Sequence, residues 1–158
     1  MLMLSLHSYV CAEDFAKAPP EIQAALCVKL IGFDKTLSGN ISICVIGAPE
    51  FAAEMKKGIG KDIGNAKLAS VSESAGLPSE KPSVLYLGDA AKLDEVIAYS
   101  RANKVLSITG IPELVEKGIA LGIGVSEGKP KVLLNMTSSK EEGRDWNPAI
   151  LKIAKIIQ

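Results

Sequence analysis

Val105-Leu-Ser-Ile-Thr-Gly-Ile-Pro-Glu-Leu-Val-Glu-Lys-Gly118 opens the stretch that decides the fold. Ile119-Ala-Leu-Gly-Ile-Gly-Val125, Lys131-Val-Leu-Leu-Asn-Met-Thr137 and Asn147-Pro-Ala-Ile-Leu-Lys-Ile-Ala-Lys-Ile-Ile157 complete it. Val105 to Ile108 is a short run without a polar face, the pattern of a strand buried on both sides. Pro112 suits the first turn of a short helix, and Lys117-Gly118 suits its end. Two apolar runs then flank Glu127-Gly128-Lys129-Pro130, which predicts an antiparallel hairpin. Asn147-Pro148 reads as the start of a final helix, with Ile150, Ile153, Ala154 and Ile157 as its buried stripe. Lys152 and Lys155 would lie on its solvated side.

The rest of the chain extends this alternation. Pro19-Pro20 predicts a first helix whose Ile22, Ala25, Leu26, Leu30 and Phe33 share a face. Ile41 to Ile46 is a core strand, Glu50 to Lys57 a short helix, Gly58 to Gly64 a loop, and Lys67 to Val71 a weak strand. Val71 to Pro82 reads as loop, Val84 to Leu87 as strand, and Asp89 as the cap of a helix carrying Leu93, Val96 and Ile97. Strands alternating with helices predict a single α/β domain over residues 13–158. Its sheet would be mainly parallel, of about six strands, with helices on both faces and a C-terminal antiparallel hairpin.

Composition bounds the function. The chain has 158 residues, 47% of them apolar and only 4% aromatic, so it can build a core, and that core is aliphatic. Lys and Arg number 18, as do Asp and Glu. That balance argues against nucleic acid and a polybasic membrane anchor, and leaves little repulsion against self-association. Met1 to Val10 is mostly apolar, and Val10-Cys11-Ala12 resembles a cleavage site, so residues 1–12 read as a signal-peptide remnant. The alternative is an N-terminal arm. No run is long enough to span a bilayer. Cys11, Cys27 and Cys44 fit no zinc or redox spacing. Cys27 and Cys44 could pair if exported, but each reads more simply as a small buried hydrophobe.

Catalytic motifs are missing. His7 is the only histidine, so no Ser-His or Cys-His pair and no His-based metal site can form in the domain. Gly58, Gly60 and Gly64 follow a helix and are spaced one residue too far for a dinucleotide fingerprint, so no cofactor is expected. Three places remain as candidates for contact with a partner or ligand. Thr109 and Gly110 end a core strand before a helix, where free amides favour anions; an ordinary turn would look the same. Ala120, Gly122 and Gly124 make one strand face small, which suits either a partner backbone or tight internal packing. Asn135 interrupts an apolar run and reads as a structural lock bonded to backbone. Trp146 is a staple or a contact residue.

Phe33-Asp-Lys-Thr-Leu37, Ile43-Cys-Val-Ile-Gly47, Val105 to Thr109, Gly118, Leu134-Asn135 and Leu151-Lys-Ile-Ala154 occur in an order that resembles the YfiR-like family. These are exported bacterial proteins that regulate partners in the inner membrane. The resemblance implies a periplasmic sensor or adaptor acting on a diguanylate cyclase or histidine kinase, with homodimerisation and a small-molecule ligand as further implications. The founding member's regulatory disulfide has no counterpart here. The basic and His residues of its ligand pocket become Asp145 and Asn147, beside Trp146; these three are the third candidate place for contact, and the founding member's ligand specificity does not carry over to them. The rival reading is a periplasmic small-molecule-binding accessory protein, for example of a transport system.

Overall fold

A computed structural model describes residues 15–158. Five α-helices and eight strands alternate along it: α1 (Pro20–Ile31), β1 (Gly39–Ile46), α2 (Pro49–Lys56), β2 (Asp62–Ile63), β3 (Ala66–Ser74) and β4 (Val84–Leu87) come first. Then follow α3 (Leu93–Asn103), β5 (Leu106–Thr109), α4 (Glu113–Glu116), β6 (Leu121–Ser126), β7 (Lys129–Asn135), α5 (Met136–Glu141) and β8 (Ala154–Ile157). All strands join one sheet in the order β2-β3-β1-β4-β5-β6-β7-β8. The five strands β3-β1-β4-β5-β6 are mutually parallel. Their order is that of a flavodoxin-like doubly wound sheet. The β6–β7 hairpin is antiparallel, from Leu121 opposite Leu134 to Ser126 opposite Lys129.

Two apolar layers sandwich the sheet. On one face α1 and α2 bring Cys27, Leu30, Ile31, Phe51 and Met55 onto Ile41, Ile43, Val45, Tyr86 and Ile108. On the other, α3 and α4 bring Val96 and Leu114 onto Cys44, Ile46, Leu85 and Leu87. Cys27 and Cys44 are both free thiols, and they lie in opposite layers with the sheet between them. Burial pushes the Cys27 thiol up to about 12 and raises that of Cys44 as well, so each is an inert hydrophobe.

The structure corrects four readings. The α1 stripe that packs is Gln23, Ala24, Cys27, Leu30 and Ile31, while Ile22 is exposed. Apolar residues occur all round this helix, so periodicity alone does not select the face. The stretch after Gly58 is not all loop, because Asp62 and Ile63 pair with Lys67 and Ala66. Met136 to Glu141 is helical, which its polar sequence does not announce. The final helix is absent. Pro148–Lys152 forms a 3-10 turn, and the chain then runs as β8, parallel to β7, with Ala154 opposite Val132 and Ile157 opposite Asn135. An open β7 edge offers a full ladder to a β-branched pair, Ile156-Ile157, that a short terminal helix cannot match.

Candidate cleft at the carboxyl edge of the sheet

Three neighbouring strands end in glycine: β1 at Gly47, β4 at Gly88 and β5 one residue past Thr109, at Gly110. After β1 the chain winds to β3 on one side, then returns to β4 on the other. The opposed connections leave an opening above the carboxyl ends of β1 and β4, the position where open α/β sheets bind ligands. A cleft of about 360 Å³ occupies it. Its walls are Ala18, Pro20, Ala48, Pro49 and Ile111, with Lys17 and Glu50 at the rim and Gln23, Phe51 and Tyr86 contributing to the floor. Gly47 holds φ +68, which lets the β1 strand turn sharply into α2.

The floor is a fixed polar pair on an aromatic base. Tyr86 and Phe51 stack with ring centroids 3.7 Å apart and planes 13° from parallel. The Tyr86 hydroxyl donates to Gln23 Oε1, and Gln23 Nε2 donates to the Ala18 carbonyl at 2.6 Å. Burial raises the Tyr86 phenol above its ordinary range, so it stays a neutral donor. Bulk at Gly110 would overlap both the Tyr86 hydroxyl and the Gln23 amide. Gly110 is therefore a seat for this pair. These groups can bind and orient a small molecule.

The other sequence candidates fall elsewhere. Thr109 is fully buried; its hydroxyl donates to the Leu87 carbonyl at 2.7 Å and accepts from the Ile111 amide at 3.1 Å. The Thr109 hydroxyl is thus committed to its own chain, while Gly110 beside it lines the cleft. The small face of β6 is internal as well. A Cβ on Gly122 would overlap Val115 of α4, and one on Gly124 would lie 2.6 Å from Pro112 Cγ. Ala120 is fully buried. The expectation of a partner contact there gives way to close helix–sheet packing, and Gly122→Val should cost roughly 1–3 kcal/mol by overpacking. Urea unfolding checks this; an unchanged midpoint would show that α4 yields freely.

Residues 145–147 brace the chain. Lys35 and Asn147 amides donate to the Asp145 and Phe33 carbonyls at 2.8 and 2.7 Å. Asp145 is exposed and 3.6 Å from Lys35, Trp146 is partly buried against the α1-side core, and Asn147 caps the 3-10 turn through the Ala149 amide. Asn135 caps α5: its Oδ1 accepts from the Ser138 amide at 3.0 Å, and its Nδ2 donates to the Val115 carbonyl at 2.8 Å. His7, Cys11 and the Val10-Cys11-Ala12 site lie outside the described residues.

Sequence reasoning missed two buried ionisable groups in the turn after α5, Glu142 and Arg144. Glu142 is fully buried, accepting from the Ser107 amide at 2.8 Å and the Ser107 hydroxyl at 2.5 Å. Burial pushes its carboxyl up to about 7, against the pull of the Ser107 hydrogen bonds and the charges of Arg144 and Arg101. Arg144 pairs with Asp34 at 3.1 Å, both side chains almost fully buried, and donates to the Lys104 carbonyl at 2.6 Å.

The YfiR/HmsC-like family model matches residues 21–155. The chain belongs to the YfiR/HmsC-like family. A solved structure, a conserved domain protein from Vibrio cholerae O1 biovar El Tor str. N16961, is similar over 89% of this chain, with TM-score 0.61 and 15% identity. This chain covers 60% of that one, so the likeness speaks to the fold alone. No curated protein matches. YfiR/HmsC-like proteins are regulators of signalling proteins, which gives this chain a regulatory rather than a catalytic reading. No helix among the described residues is long and apolar enough to cross a membrane.

Proposed function

We propose that this chain is an exported sensor and adaptor that controls an inner-membrane signalling protein by direct contact. The partner is of the diguanylate cyclase or histidine kinase type. The observation that carries the reading is the family match across residues 21–155. The cleft supplies the sensor half: a pre-formed recess with apolar walls, a neutral phenol and a buried amide, as small-molecule sites require. Export is tested by fractionating the native cells. The mature chain should be released with the periplasm and lack the apolar start; a cytoplasmic chain that keeps Met1 sinks this reading.

The cleft also favours a second reading, a periplasmic binding protein that serves a transport system and touches no signalling partner. Native mass spectrometry of protein purified from its own cells addresses the shared half. A bound small molecule should be present, and Ala48→Trp, which fills the cleft from a half-buried wall position, should abolish it. Retention of the same mass in that variant would place the ligand elsewhere.

A further inference from the structure

We propose that the segment ahead of α1, Phe15 to Pro19, is the moving wall of the cleft: a strap that Gln23 latches to the Tyr86 floor and that a cleft ligand clamps shut. The proposal rests on the cleft being the ligand site of the sensor. β5 accompanies β6 at Leu121 and Gly122 and then turns away at Gly110. The strap takes its place beside the upper part of β6. There Ala16 stands opposite Val125 in an isolated antiparallel bridge, each amide donating to the other's carbonyl at 2.8 Å. Ala16 and Lys17 are exposed, and Ala18 is the buried anchor, 4% exposed. Lys17 and Ala18 both line the cleft.

A single side-chain amide joins this strap to the floor. Gln23 Nε2 donates to the Ala18 carbonyl at 2.6 Å, and Oε1 of the same amide accepts from the Tyr86 hydroxyl. The two ends of one planar group are thus committed to two parts of the cleft, and turning it toward one partner breaks its bond to the other. Tyr86 is held in turn by its stack on Phe51. Away from the latch, the described strap meets the sheet through two backbone hydrogen bonds at an exposed bridge, a contact that opens locally at far less cost than global unfolding. A molecule in the cleft touches Lys17 and Ala18 only when the strap is down. It therefore binds the closed form better and shifts the strap toward it. The Phe15 ring, next along, lies 5.3 Å from Lys155 Nζ of β8, so closing the wall also fixes a contact at the far end of the sheet.

The Val125 amide reads the strap directly, because its acceptor is the Ala16 carbonyl. Amide hydrogen exchange by NMR on the full chain, dialysed to strip any bound molecule, gives the baseline. Gln23→Leu should speed exchange at Val125 about three- to tenfold relative to the amides of β1 and β4, the effect of losing one net hydrogen bond. Tyr86→Phe removes only a hydroxyl that bonds the latch and not the strap, yet it should raise the same ratio. Protein purified with a small molecule in place should exchange more slowly at Val125 than the stripped chain. An unchanged Val125 rate in Tyr86→Phe overturns the proposal, and so does a rise shared equally by β1 and β4. A bound molecule whose removal leaves Val125 unchanged overturns it too, while the cleft stands as a ligand site. Absence of any co-purifying molecule sinks the cleft reading instead, and the Gln23 latch then stands or falls on Tyr86→Phe.

Discussion

Arg144→Met is expected to destabilise the protein by about 3–5 kcal/mol, because it strands the Asp34 carboxylate in a dry site. Asp34 is fully covered at its side chain, and Arg144 holds it at 3.1 Å while also serving the Lys104 and Glu142 carbonyls. One residue thus ties the end of α1, the turn after α3 and the turn after α5. The Thr36 amide and hydroxyl still reach Asp34 Oδ1 at 2.9 and 2.6 Å, but neither cancels a charge. Asp34→Asn should cost less, since Arg144 keeps both of its carbonyl partners. Chemical denaturation of the two variants checks the order; Arg144→Met losing under 1 kcal/mol would show that water reaches the pair.

The second large effect is pH dependence through Glu142. Burial disfavours the charge and pushes its folded carboxyl up to about 7 from the ordinary 4.5. The folded state therefore holds a proton that the unfolded state releases between those values. Stability from this group is full below pH 4.5, falls as pH rises, and is lost above about 7. The loss amounts to about 3 kcal/mol at most. Arg144 and Arg101 are the charged groups that act on the site, and both oppose the effect of burial. Glu142→Gln should flatten the slope of stability between pH 5 and 8 by more than half. It should be more stable than wild type at pH 8, by less than the full loss because the amide cannot accept from the Ser107 hydroxyl as a carboxylate does. Equal slopes in the two proteins would refute the assignment.

The strand-and-helix alternation was legible because most core strands are short apolar runs and the helices that follow them open at a cap or proline, as at Pro49 and at Asp89, which caps the turn leading into α3. The end of the chain was not. Ile153 to Ile157 contains five residues whose spacing fits a helical stripe and a strand equally, and a distant partner, the β7 edge, decides between them. The β6 glycines were singled out correctly as a place of close approach, but which neighbour approaches is a tertiary fact. The cleft carried a readable signal that was used only at Thr109-Gly110: Ile46-Gly47 and Leu87-Gly88 also place glycine at a strand's carboxyl end. Glu142 and Arg144 had no local mark, since Glu-Glu-Gly-Arg looks like any solvated turn until the fold buries it.

Control of a membrane signalling protein by contact would leave this chain beside that protein in the living cell, where capture can find it. An affinity-tagged chain expressed at native level would be cross-linked in intact cells, recovered under denaturing conditions and its adducts identified. One dominant inner-membrane protein with a cyclase or kinase domain is expected among the adducts, lost when the chain's export is blocked. Recovery of the exported chain with no inner-membrane signalling protein attached would contradict it.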